Sequence, residues 1–123
     1  MEQKDKKSFN LEERTLAFAR AIREFIKTLP RTVSSIEDGK QLVRSSGSVG
    51  ANYIEANEAL SRKDFVMRIK IARKEAKESC YWLKLIETQK PLEEKRASLE
   101  REAVELTKIL SAILLKSAKQ NEI

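Results

Sequence analysis

Apolar or small residues recur in this chain at alternating spacings of four and three over almost its whole length, and few residues interrupt them. That rhythm lays one stripe along each of several α-helices and is incompatible with the period of two that a half-buried strand requires. The stripes run Leu11, Thr15, Phe18, Ile22, Phe25, Leu29; then Gly39, Val43, Ser46, Gly50, Tyr53, Asn57, Leu60; then Phe65, Ile69, Ala72, Ala76, Ser79, Leu83, Ile86; and, after a leading Leu92, Leu99, Ala103, Leu106, Leu110, Ile113, Ser117. Pro30 closes the first and Pro91 opens the last, since proline cannot continue a helix but tolerates its first turn. Ser61-Arg-Lys-Asp64 has the form of a capping box, and Ser34 or Ser35 with Glu37 and Asp38 gives a similar start. The spacing therefore predicts helices over about 9–29, 35–60, 62–89 and 91–118, a frayed start over 1–8 and a tail over 119–123. Connections this short force successive helices to be antiparallel, so the expected fold is all-α, an antiparallel up-down-up-down four-helix bundle. At 123 residues the chain forms one domain.

The same sequence removes most catalytic chemistry. It contains no histidine, which excludes imidazole bases, Ser-His-Asp and Cys-His catalysis, and histidine-bearing zinc sites. A single cysteine, Cys80, cannot close an internal disulfide or build a thiolate zinc site, and this suits a reducing cytoplasm. The start lacks the apolar core of a signal peptide, and the uncharged run from Ile109 to Leu115 is too short to span a bilayer, so no membrane is expected as a partner. Glu75 and Glu78 lie three apart, but without a Glu-x-x-His helix to face them the di-iron reading fails, and pairing with Arg73, Lys74 or Lys77 is preferred. Arg44 is a candidate partner for an acid on another helix. No metal and no cofactor are expected.

Charge is where the sequence exceeds what a bundle needs. Lys and Arg number 25 against 19 Asp and Glu, a net +6 that favours an anionic partner. Residues 62–90 alone hold nine basic and four acidic side chains. On a wheel of 100° per residue with Phe65 at zero, Lys70, Arg73, Lys74, Lys77 and Lys84 fall together between about 80° and 180°. They form a stripe suited to phosphates. At about 200° to 260° lie Met67, Ile71, Trp82 and Leu85, a second apolar stripe pointing away from the bundle's own core. It predicts a subunit interface. Tyr81 is the one aromatic residue near the basic stripe, which argues against base-specific readout.

The second helix carries the small residues. Ser45-Ser-Gly-Ser-Val-Gly-Ala-Asn52 lacks the strand, the Lys-Ser or Lys-Thr ending and the glycine spacing of a phosphate cradle, so it reads as helix. Gly39, Ser46, Gly50 and Asn57 then form a ridge along which neighbouring helices approach closely, with Asn57 as a seam position that fixes register by a buried hydrogen bond.

The run Gln41 to Asn57, followed by Ser61-Arg-Lys-Asp-Phe65, Ile71-Ala-Arg-Lys-Glu-Ala-Lys-Glu78 and Tyr81-Trp-Leu83, resembles the bacterial four-helix-bundle family whose members include proteins encoded in intervening sequences of large-subunit ribosomal RNA genes. The resemblance covers about residues 10–118. It implies an antiparallel bundle assembling into a ring-like homopentamer, and a related branch comprises the basic accessory proteins of diversity-generating retroelements, which bind reverse transcriptase and nucleic acid. It carries no catalytic residue onto this chain. Residues and resemblance together point to a non-enzymatic, cytoplasmic homo-oligomer that binds RNA or DNA backbone, with a protein-interaction adaptor, for instance to a reverse transcriptase, as the alternative.

Overall fold

The computed structural model describes residues 10–122 and contains four α-helices: α1 (Leu11–Lys27), α2 (Val33–Asn57), α3 (Arg62–Leu85) and α4 (Leu92–Glu122). Each of the first three starts where a short polar side chain takes an otherwise orphaned backbone N–H. Asn10 accepts from Glu13 N (2.8 Å), Thr32 from Ser35 N (3.1 Å) and Ser61 from Asp64 N (3.0 Å). The Ser61 cap is the one expected. In α2 the cap is Thr32 rather than Ser34 or Ser35, because its hydroxyl lies one residue ahead of the first helical turn and reaches a free amide from there. Helix ends differ from expectation in the same local way. α2 stops at Asn57 and leaves Leu60 fully exposed in the connection, α3 stops at Leu85, and α4 runs on to Glu122 through the stretch read as a tail. The expected fraying over residues 1–8 lies outside the described residues.

Contacts between helices fix the topology. Along α1 and α2, Glu12 meets Asn57, Thr15 meets Gly50 and Ile26 meets Gly39, so numbers rise on one helix as they fall on the other. The same opposition holds for α2 and α3 (Asn52 with Arg68, Ser45 with Ser79) and for α3 and α4 (Arg62 with the Ser117 carbonyl, Arg96 with the Leu83 carbonyl). α1 also packs on α4, while the diagonal pairs α1/α3 and α2/α4 make no backbone contact among the described residues. This is the antiparallel up-down-up-down bundle. Its core is Phe18, Ile22 and Phe25 from α1, Leu42, Val49 and Ala56 from α2, Ile69, Ala72, Ala76 and Leu83 from α3, and Leu99, Ala103, Leu106 and Leu110 from α4.

The seams expected for α1, α3 and α4 are buried almost residue for residue, but that of α2 is rotated. Leu42, Val49 and Ala56 occupy its centre, Gly39, Ser46 and Gly50 form the flank facing α1, and Asn57 lies exposed, donating to Glu12 Oε2 (2.9 Å) rather than fixing register inside the core. The error arises because α2 has small residues on both sides of its apolar line, so two stripes fit the spacing. Close approach is real at Gly50, where a Cβ would stand 2.7 Å from Thr15 Oγ1 and 3.1 Å from Thr15 Cβ.

Two polar anchors hold the bundle's ends. Arg14 forms a two-bonded ion pair with Glu102 (2.7 and 2.9 Å), joining α1 to α4. Arg96 donates to Glu93, to Glu100 and to the carbonyl of Leu83, one of the last carbonyls of α3 that no helical N–H can reach. The Arg96 guanidinium, with the Thr88 hydroxyl, lowers the Glu93 carboxyl from the usual 4.5 to about 2.

Two predictions follow from this packing. Gly50→Ala gains about 1 kcal/mol of helix propensity but overpacks against buried Thr15, so it destabilises by a net ~1 kcal/mol in urea unfolding; in a Thr15→Ala background the same change becomes stabilising. Because the Glu93 value is depressed on folding, the stability it contributes is complete above pH 4.5 and is lost as pH falls toward about 2. The stability difference between wild type and Glu93→Gln therefore shrinks from pH 5 to pH 2.

Candidate nucleic-acid interface

α3 presents three sides, and the structure sorts the predicted residues among them. Toward α4, Lys70, Arg73, Lys74 and Lys77 line one shallow groove whose opposite wall is Leu114 of α4. Lys70, Lys74 and Lys77 are exposed and Arg73 is half-buried. Lys84 does not join them. Its side chain lines a separate hollow beside Pro30, Ile86 and Arg96, where the 86–91 connection leaves the bundle.

The four groove cations owe their freedom to a contact on the opposite side of the helix. Glu75 and Glu78 turn away from the groove toward α2, where Arg44 pairs with both: its Nη1 is 3.2 Å from Glu75 Oε1, and its Nη2 holds Glu78 Oε1. This corrects the expectation that these carboxylates pair with Arg73, Lys74 or Lys77. On the wheel Glu75 stands about 100° or more from every groove cation, and Glu78, though only about 40° from Lys74, is engaged by Arg44 across the helix contact. Among the described residues, none of Lys70, Arg73, Lys74 and Lys77 forms an ion pair. A row of four uncompensated cations about one helical turn apart projects a positive field into the groove.

Beside Arg44, two buried hydroxyls make the α2/α3 contact. Ser45 Oγ and Ser79 Oγ lie 2.8 Å apart, and Ser79 Oγ donates on to the Glu75 carbonyl (2.9 Å). Both side chains are fully buried, and their small size brings α2 near enough for Arg44 to reach α3. The sequence signalled Arg44 as a partner for another helix's acid, but nothing in it marked the Ser45 and Ser79 pair.

The outer side of α3 carries the second apolar stripe, with one correction. Met67 and Leu85 are 48% and 45% exposed and Ile71 is half-buried, but Trp82 folds inward against the core. Its Nε1 donates to Glu78 Oε1 (3.3 Å) and its ring meets that of exposed Tyr81 edge-on at 5.2 Å. An indole needs a partner for its N–H when half-buried, and the Glu78 carboxylate held by Arg44 supplies one. Cys80 lies between core and surface, where burial pushes its thiol above 9.0 and so disfavours the thiolate a reactive cysteine requires. No group of three or more Cys, Asp or Glu residues among those described is placed to hold a metal ion, and no helix among them is long and apolar enough to cross a membrane.

Comparison with known proteins matches residues 7–112 to the family described as 23S rRNA-intervening sequence protein. A solved structure, that of a protein of unknown function from the S23 ribosomal protein family of Bacteroides thetaiotaomicron, superposes with a TM-score of 0.72 at 34% identity, over 85% of this chain and 98% of that one. No curated protein matches. The chain belongs to the 23S rRNA-intervening sequence protein family.

The Arg44 clasp makes a measurable prediction. Glu75 is nearly buried, so Arg44→Met strands its carboxylate and lowers the unfolding free energy by about 2 kcal/mol. Adding Glu75→Leu recovers most of that loss, because the stranded charge is then gone.

Proposed function

We propose that this family member is a binding protein rather than an enzyme, a self-associating helical bundle that holds RNA or DNA by its phosphate backbone. The observation that carries this reading is the groove between α3 and α4, where Lys70, Arg73, Lys74 and Lys77 stand together while the acids of the same helix are engaged by Arg44 on its other side. Ammonium and guanidinium groups at helical-turn spacing follow a phosphate strand without reading its bases. The groove's remaining wall, Leu114, is aliphatic and offers no ring for a base to stack on. The binding is therefore of low sequence preference. Self-association supports it physically, since one groove of four cations is a weak site and repeated copies along one strand or duplex multiply its hold.

Four phosphate contacts per groove give an affinity that falls about 100-fold between about 50 and 200 mM salt, measured by fluorescence anisotropy on a structured RNA. Lys70→Glu, Lys74→Glu and Lys77→Glu together, all on exposed positions, abolish that binding while the far-ultraviolet circular dichroism stays helical. Undiminished binding by the triple variant, or binding indifferent to salt, would overturn the reading.

A further inference from the structure

The end of the bundle where α2 turns into α3 holds an open hollow of about 640 Å³, within the range of roughly 300–1,000 Å³ that small-molecule sites occupy. Its walls come from α2 (Tyr53, Asn57), from the 58–61 connection, from α3 (Arg62, Phe65) and from α4 (Ile113, Lys116, Ser117). Among the described residues none from α1 lines it. α1 begins at Leu11, beside the last turn of α2, where Glu12 accepts from Asn57 Nδ2. Tyr53, Phe65 and Ile113 are half-buried, packed on the core and turning part of their surface into the hollow.

The polar groups of this hollow are not used by the fold. Ser117 is 7% exposed, and although its carbonyl accepts from Arg62 Nη1 (3.5 Å), its hydroxyl bonds no group among the described residues. Thr107, on the same helix, shows the ordinary alternative, a hydroxyl turned back to the Ala103 carbonyl at 2.8 Å. Buried hydroxyls are normally paired, and no described side-chain polar atom is sealed from solvent without a partner. The Ser117 hydroxyl therefore meets the open space beside it, and Tyr53, whose hydroxyl is likewise unbonded among the described residues, lines the same space. Charge is divided across the rim. Arg62 and Lys116 stand on the α3 and α4 side, and Lys116 forms no ion pair among the described residues. Glu12 stands on the α1 and α2 side, bonded to Asn57, whose Oδ1 has no donor among the described residues.

We propose that this hollow binds a nucleoside monophosphate, free or as the end of a nucleic-acid strand. Each part of such a ligand finds its chemistry on a different wall. The base lies against the rings of Tyr53 and Phe65, and the phosphate goes to Arg62 and Lys116. The ribose hydroxyls pair with the Ser117 hydroxyl, and an amino group on the base donates to Asn57 Oδ1 on the rim's anionic side. An aliphatic ligand or a bare anion would use only part of this set. The phosphate groove between α3 and α4 has four cations and no ring, so the two sites differ in kind. This inference goes beyond the backbone-binding reading and does not depend on it. Phe65 precedes Lys70 by five residues, or about 8 Å of helix, so the end of a strand lying in the groove comes within reach of the hollow.

Calorimetric titration of the full chain with adenosine 5′-monophosphate tests the site. The expected result is saturable binding, with adenosine and inorganic phosphate each weaker by about tenfold or more. Lys116→Glu, at an exposed position, and Tyr53→Leu each weaken the nucleotide by about tenfold or more, while circular dichroism stays helical. Ser117→Ala, which removes only the hydroxyl, weakens it severalfold. The groove variant carrying Lys70→Glu, Lys74→Glu and Lys77→Glu binds the nucleotide as wild type does, so failure of the groove and failure of the hollow are told apart. Displacement by the nucleotide of an RNA hairpin with a 5′-phosphorylated overhang assigns the site to strand ends; saturable nucleotide binding without that competition assigns it to free nucleotide. Absence of saturable binding, inorganic phosphate binding as tightly as the nucleotide, or an affinity unchanged in both Lys116→Glu and Tyr53→Leu would each overturn the proposal.

Discussion

The thinness of α2 is the constraint on which the rest of the structure turns. With glycine, serine and alanine at its contacts, this helix lets α1 come within van der Waals distance of its backbone at Gly50, and it meets α3 through two hydroxyls at Ser45 and Ser79. Larger residues there would gain buried area but push the neighbouring helices outward. The cost of each helical glycine, about 1 kcal/mol, is offset where α1 packs against the bare backbone, Thr15 at Gly50 and Ile26 at Gly39. The bundle's bulk is supplied by α1 and α4 instead, through Phe18, Phe25, Leu99, Leu106 and Leu110.

That proximity also distributes charge. Arg44 engages both Glu75 and Glu78 because α2 lies close to α3, and the carboxylates are then oriented away from the lysines of their own helix. On an isolated helix, Glu78 and Lys74 would be ordinary neighbours four residues apart, with partial cancellation of their fields. In the bundle the acids serve the α2/α3 contact and the indole of Trp82, while the cations face α4 unopposed. A feature of composition, the net +6, thereby becomes a local field.

How much of this was legible in the sequence depends on how many stripes a helix can carry. In α1, α3 and α4 large aliphatic residues stand on one side only, so the four-three spacing admits one seam, and Phe18, Ile69 and Leu106 are buried where the spacing puts them. In α2 small residues flank the apolar line on both sides, and spacing alone selected the wrong flank at Asn57 and Leu60. Trp82 was misplaced for a related reason. A wheel assigns it an angle outside the core, but a side chain of that length folds back over the helix surface, and the partner for its N–H, Glu78, is fixed by a residue on another helix. The basic stripe was legible as a stripe; its division between the groove and the isolated Lys84 was not, because Lys84 stands in the last turn of α3 beside the 86–91 connection, whose course the spacing does not give.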